Sequence, residues 1–244
     1  MTNINMDLFY DKVSSLLDVV CDTQTDNIKK TAQICADSIK NNGVIQVFGS
    51  GHSIGFGQEM ENRIGSLVPV HVIATHDFVL NGKVSLEEFK DPTTPFERKS
   101  GMAGKLYDLY DISKEDVFII ISNSGINGIG IDLAIKAKEE GHKVIVVTSW
   151  QHTNAEDSRH PSGKKLYEMG DVVIDNCGPQ GDALLETGDP EKICSVSSIT
   201  GAFIAQTIAT ETIAILLKEK QELPVLTESK EHNDKLKERY KGRI

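Results

Sequence analysis

The sequence predicts an α/β protein, a doubly wound, five-stranded parallel sheet flanked by helices and preceded by an N-terminal helical pair. Three observations carry that prediction. Five short runs rich in β-branched residues, at 44–48, 70–74, 117–121, 143–148 and 172–175, alternate with helical periodicity. Most are apolar on both faces, as parallel strands covered by helices on each side must be. Two of these runs end in small, polar, glycine-containing turns that lead straight into helical sequence: Val44-Ile45-Gln46-Val47-Phe48 into Gly49-Ser50-Gly51-His52-Ser53, and Val117-Phe118-Ile119-Ile120-Ile121 into Ser122-Asn123-Ser124-Gly125. Finally, Gly141 follows Lys138-Glu139-Glu140 as a helix stop and strand resumes at Lys143, which makes residues 117–148 one βαβ unit.

The opening 42 residues read as two helices. In the first, Leu8, Phe9, Val13, Leu16, Leu17 and Val20 form one stripe; in the second, Ile28, Ala32, Cys35 and Ile39 recur at helical spacing. Between the second and third strands lies an irregular segment, 78–101, holding Pro92, Pro95 and several charges, long enough to suggest a functional loop. Ser195 to Lys220 reads as one long helix, apolar nearly all round and therefore suited to a core or a subunit interface. Pro224 breaks the chain, and a charged tail follows with His232, Leu236 and Tyr240 on one face. The expected organisation is a single domain over 1–244, with a helical extension at 1–42, an α/β core at 43–223 and the tail at 224–244.

Composition narrows the function. With 36 acidic against 26 basic residues the formal net charge is −10, so no basic field is available for nucleic acid or an anionic membrane. The four cysteines, Cys21, Cys35, Cys177 and Cys194, sit far apart without zinc-finger or redox spacing and read as free thiols of a reducing compartment. Met1 to Asp11 has no apolar segment of signal-peptide length, and no apolar stretch is expected to span a membrane, so the reading is a soluble, cytoplasmic protein.

The two glycine-containing turns suit an anion. A strand that delivers a turn to a helix N-terminus leaves backbone N–H groups unpaired at the positive end of the helix dipole. The second turn adds the hydroxyls of Ser122 and Ser124, and it has no lysine and no Walker spacing, so a bound phosphate ester is expected and phosphoryl transfer is not. A nicotinamide cofactor is disfavoured: Gly49, Gly51 and Gly55 resemble the dinucleotide fingerprint, but the third glycine belongs at 54, where this chain has Ile54. No cofactor is expected. Neither a His-x-x-x-His pair nor a tight carboxylate cluster suggests a metal.

The stretch Asp116 to Thr148, with Ser122-Asn123-Ser124-Gly125-Ile126-Asn127, a helix, and Gly141-His142-Lys143-Val144-Ile145-Val146-Val147-Thr148, resembles the core signature of the sugar isomerase (SIS) family. The turn Gly49 to Ser53 resembles that family's first phosphosugar loop, and the resemblance extends over about residues 30–220. Gly178-Pro179-Gln180-Gly181-Asp182-Ala183 and the tail from Glu231 to Arg243 look like a branch of SIS-domain proteins related to phosphoheptose isomerase. The resemblance implies a flavodoxin-like SIS fold in which Ser122, Asn123, Ser124 and Asn127 surround a sugar phosphate, supported by Ser53, while Gly49, Ser50, Gly51 and His76 belong to the substrate loops. Asn127 replaces the family's usual serine or threonine, and its amide can still donate to a phosphate oxygen. Read without the family, the same serines are helix caps.

For proton transfer, Glu59 lies four residues before Arg63 and reads as an ion pair, whereas Glu61 has no basic residue at helical spacing and is flanked by Gly57 and Gly65. Glu61 is the expected general base, at a place where SIS isomerases carry a helix glutamate, against the plainer reading of a solvated carboxylate. Glu211 falls within the stripe of Ile204, Ile208 and Ile215, near a histidine position of phosphoheptose isomerase, and is either a second catalytic carboxylate or an interface residue. His52 and His76, at strand ends, are candidates for assisting ring opening or binding a hydroxyl. The expected function is isomerisation of a phosphorylated aldose, such as an amino sugar, to its ketose by a homodimer or homotetramer. The alternatives are an etherase or lyase acting on a lactyl-amino-sugar phosphate, with N-acetylmuramic acid 6-phosphate etherase as its family example, and a non-catalytic sugar-phosphate sensor.

Overall fold

In the computed structural model, which describes residues 4–188 and 190–244, the expected helical pair is a single helix. This helix, α1 (Met6–Lys40), runs unbroken for 35 residues, and Asn5 caps it by accepting the Leu8 N–H at 2.9 Å. The polar stretch Asp22 to Asn27, between the two apolar stripes, contains neither glycine nor proline. Its exposed threonines turn their hydroxyls back onto the carbonyls of Val19 (2.7 Å) and Cys21 (2.5 Å), so the helix continues through it. The first three residues of the expected 1–42 extension lie outside the described residues.

The five expected strands form one parallel sheet: β1 (Ile45–Gly49), β2 (Val70–Ile73), β3 (Val117–Ile121), β4 (Lys143–Thr148) and β5 (Val172–Asp175). Their spatial order is β2-β1-β3-β4-β5. The chain thus winds one way from β1 to β2 and the other way from β3 onward, which puts the reversal between β1 and β3. In open α/β sheets that crevice, at the carboxyl ends of the strands, is where ligands bind. Gly49 pairs with Ile121 in the ladder, so the two strands end level and their loops emerge side by side.

Because successive side chains alternate across a strand, each face of the sheet builds its own core. On one face Ile45, Val47, Ile119, Ile121, Ile145 and Val147 pack against α1, α2 (Ile54–Met60) and α8 (Ser197–Lys218). Cys35 of α1 lies in this core, and burial pushes its thiol up to about 12. On the other face Phe48, Phe118, Ile120, Val144 and Val146 meet α6 (Gly128–Glu139) and the connection between β2 and β3. That connection is built of short turns, α3 (Asp77–Leu80), α4 (Leu86–Phe89) and α5 (Ala103–Tyr107), gathered around Phe78, Phe89 and Phe96.

After α7 (Trp150–Ala155) and β5 comes an antiparallel hairpin that the sequence pattern did not indicate, β6 (Ala183–Glu186) and β7 (Lys192–Ser195). It takes up the first residue of the long helix expected from Ser195, so α8 starts at Ser197. The expectation that no stretch approaches membrane-spanning length is also corrected: the 22 residues of α8 are long and apolar enough. One side of α8 is core, with Ile204, Ala205, Ile208 and Leu216 fully buried. The tail folds as α9 (Lys230–Arg239), whose Leu236 and the following Tyr240 pack on Val44 and Val68 at the strands' amino ends. Arg243 there pairs with the buried Asp116 carboxylate, which also accepts the Val44 N–H and the Gln46 amide at 2.9 Å each.

Candidate functional site

The first loop leaves β1 at Gly49, where a Cβ would lie 2.6 Å from the Ser53 carbonyl carbon; only glycine lets the chain fold back so closely. Gly51 takes a left-handed backbone (φ +55°), and a single 3-10 turn, Gly51–Ser53, feeds α2. The second loop leaves β3 at Ser122, whose Oγ accepts the Gly125 N–H at 3.1 Å. Gly125 is left-handed as well (φ +64°), and a Cβ on it would lie 2.8 Å from Thr153 Oγ1 and 2.9 Å from Thr148 Oγ1. The loop carbonyls are tied down: Ser149 N–H donates to Asn123 (3.1 Å), Leu166 to Gly125 (2.8 Å) and Arg159 to Ile126 (3.0 Å). With the carbonyls occupied, the free donors of the first α6 turn are what the loop presents outward.

A third helix joins these two. The α8 N-terminus is fixed by Asp182, whose carboxylate accepts the N–H of Val196 (3.1 Å) and Ser197 (2.7 Å) and the Ser197 hydroxyl (2.8 Å). A cleft of about 150 Å³ lies between the first loop, the end of β3 and the start of α8, lined by His52, Ser53, Gly55, Phe56, Ile121, Asn123, Ser197, Ser198 and Gly201. Asn123 is oriented by Asn176, whose Nδ2 donates to its Oδ1 at 2.9 Å, and lies 3.3 Å from His152 Nδ1. The arrangement offers hydroxyls, amides and helix N-termini to an anion, with no lysine among the lining residues. Among the described residues no group of three His, Cys, Asp or Glu side chains is placed to hold a metal.

The structure thus brings His52, Ser53 and Asn123 to one cleft, with Gly49, Ser50, Gly51, Ser122 and Ser124 in the loops that form it. Asn127 stands at the α6 N-terminus, but its side chain is turned sideways: Nδ2 donates to Glu97 (3.3 Å) and Oδ1 accepts from Arg159 (2.9 Å). His76 is exposed beyond β2, 3.7 Å from the Asp77 carboxylate, and does not line the cleft.

The two expected carboxylates are placed elsewhere. Glu61 is not on the helix: α2 ends at Met60, and Glu61 continues in extended conformation. Its Oε1 accepts the Val72 N–H at 2.9 Å on the outer side of β2, the edge strand, and it lines a different cavity of about 610 Å³ with Val68, Val70 and residues of α9. Glu211 is half-buried on α8, fourteen residues past Ser197. That places it about 21 Å along the helix from the end that faces the cleft. What the residue pattern had not singled out is the polar surround: Glu97, Arg159, His152, Asn176, Ser197 and Ser198. Asp182, which caps α8, belongs to a segment the sequence had marked, Gly178 to Ala183.

Comparison with known proteins agrees with this fold. The SIS domain family model matches residues 8–149. A UPF0309 protein of Geobacillus thermodenitrificans is 35% identical over 245 residues, covering 98% of this chain and 96% of its own length. In fold, the chain is similar to phosphoheptose isomerase GmhA from Neisseria gonorrhoeae (TM-score 0.57, 15% identity, covering 84% of this chain and 94% of that one). It is also similar to the Vibrio vulnificus NanR protein complexed with ManNAc-6P (TM-score 0.51, 13% identity, 97% and 67%). With a doubly wound sheet, two serine-glycine loops at its switch point and a family match over more than half its length, the chain belongs to the SIS domain family.

Proposed function

We propose that the protein binds a sugar phosphate at the β1/β3 switch point, with the phosphate on the Ser122–Asn127 loop and the sugar toward Gly49–Ser53, and interconverts its aldose and ketose forms. The observation that carries this reading is the meeting of the first loop, Asn123 of the second loop and the hydroxyl-bearing start of α8 at one small cleft. The fold neighbours support it, one being a phosphoheptose isomerase and another a protein complexed with a sugar phosphate. His52, exposed on the cleft rim, is available to donate to the sugar's carbonyl or ring oxygen.

The working unit in this reading is a homo-oligomer. The outer surfaces of α1 and α8 leave Tyr10 69%, Val19 45%, Ile199 37% and Leu217 57% exposed, apolar surface that a second chain could cover. A second reading, binding without catalysis, is favoured by the distance of Glu61 and Glu211 from the cleft. Incubation with a panel of hexose, hexosamine and pentose phosphates in D2O, followed by NMR, separates the two. Isomerisation gives new sugar resonances and deuterium at C1 or C2. Thermal protection by the same compounds without exchange marks a binding protein.

A further inference from the structure

We propose that Glu97, carried to the site by the segment between β2 and β3, is the carboxylate that moves the proton in the reaction at this cleft. The inference rests on the isomerase reading above. It starts from the path of the chain: β2 lies at the sheet edge and β3 beyond β1, so the connection, which leaves the carboxyl end of β2, must pass over β1.

The crossing segment is clamped where it passes α6. Phe96 is 6% exposed, with its ring 5.3 Å from Phe78 and 4.9 Å from Phe89. Immediately after Glu97 the backbone lies flat on the start of α6: a Cβ on Gly128 would be 2.8 Å from the Arg98 carbonyl oxygen and 2.6 Å from that of Lys99. The Gly101 N–H then donates to Asp132 Oδ2 at 2.5 Å. Glu97 therefore has an anchored backbone on both sides, as a group that must meet one carbon atom requires.

Its side chain spans the two loops. Oε1 accepts from Asn127 Nδ2 at 3.3 Å, at the end of the second loop, and Oε2 faces the first, 3.4 Å from where a Cβ on Gly51 would lie. Other carboxylates on this side of the sheet are already committed: Asp182 to the α8 cap, Asp175 to the Trp150 and Cys177 N–H groups, Asp77 to Tyr110, Glu156 to Arg159 and Asp132 to His160. Among the described residues no cation pairs with Glu97, because Arg159 reaches Asn127 and Glu156 instead. A carboxylate with one oxygen held and the other free beside the first loop is placed as a general base must be.

In the step assigned to it, Glu97 takes the proton from the carbon next to the carbonyl, and the C–H electron pair forms the C1=C2 bond of an enediol. The carbonyl oxygen takes up a proton there, His52 being the nearby donor. Glu97 returns its proton to the former carbonyl carbon as the neighbouring hydroxyl becomes the new carbonyl and gives its proton back to His52. One hydrogen has moved between carbons, and nothing is oxidised or reduced overall.

The test is C–H exchange in D2O with the sugar phosphate that the wild-type protein turns over, measured for Glu97→Gln, Glu97→Asp and Glu61→Gln alongside thermal protection by the same compound. Glu97→Gln keeps the acceptor oxygen for Asn127 and should retain protection while losing exchange by ~10³-fold. Glu97→Asp should retain part of the rate with the acid limb of the pH profile moved to lower pH, which a merely structural role would not do. Wild-type exchange with Glu97→Gln unaffected, or loss confined to Glu61→Gln, overturns the assignment and leaves the isomerase reading standing. A wild-type protein protected by sugar phosphates but inert toward the whole panel overturns both.

Discussion

Gly125 shows how much of the site rests on single atoms. Its backbone is left-handed and a Cβ on it would lie 2.8 and 2.9 Å from two threonine hydroxyls, closer than van der Waals contact, so Gly125→Ala meets both a backbone penalty and a clash. The expected cost is about 2–4 kcal/mol, read as a lowered urea midpoint, together with loss of protection by sugar phosphates. His71 gives a second prediction at this scale. Burial holds its imidazole below the ordinary histidine value, and Nδ1 lies 2.8 Å from the Gln46 amide oxygen. Because the folded form binds the proton less readily than the unfolded one, stability should be complete well above pH ~6.5 and fall as pH drops through that value. The fall between pH 7.5 and 5.5 should shrink in His71→Gln, as read from urea midpoints at the two pH values.

At the scale of elements, the edge strand β2 explains where Glu61 went. Strand N–H groups that point away from β1 need partners, and Glu61 supplies one to Val72 while the Tyr110 hydroxyl lies 3.4 Å from the Ala74 nitrogen. Burial and the bond to Asp77 together raise the Tyr110 phenol well above its ordinary value, so it stays a donor at any working pH. Glu61→Ala should cost about 1 kcal/mol of stability, whereas Glu61→Gln, which keeps the acceptor, should cost little. All five strands were legible because both-face apolar runs bounded by polar turns have few other readings. The hairpin β6/β7 was not, since its strands have four residues each and β7 is exposed throughout, leaving no alternation to detect. The loops were legible from Gly49, Gly51, Ser122 and Gly125 because their chemistry is local in sequence. Glu97 was not, since its place depends on which strand neighbours which. A sequence signal existed all the same: Phe96-Glu97 puts a carboxylate beside an aromatic anchor in the connection that must cross β1.

At the scale of the molecule, the two ends of the sheet do different work. The amino ends are closed by the tail, where Arg243 meets a carboxylate with no solvent exposure and Tyr240 fills the space above Val44 and Val68. Removing the cation leaves that charge buried with uncharged partners alone, so Arg243→Ala should cost about 3 kcal/mol. In calorimetry this corresponds to a loss of ~6–12 °C in Tm. The carboxyl ends are left open and carry the loops. The apolar outer faces of α1 and α8 predict a sedimentation mass of at least two chains, and Leu217→Glu should lower it. The most direct test of the account is a crystal structure with glucosamine 6-phosphate at saturating concentration. Phosphate density is expected against the Ser122–Asn127 loop, with the sugar against Gly49–Ser53 and within reach of Glu97. Phosphate bound instead in the cavity beside Glu61 and α9, with the Ser122–Asn127 loop empty, would contradict it.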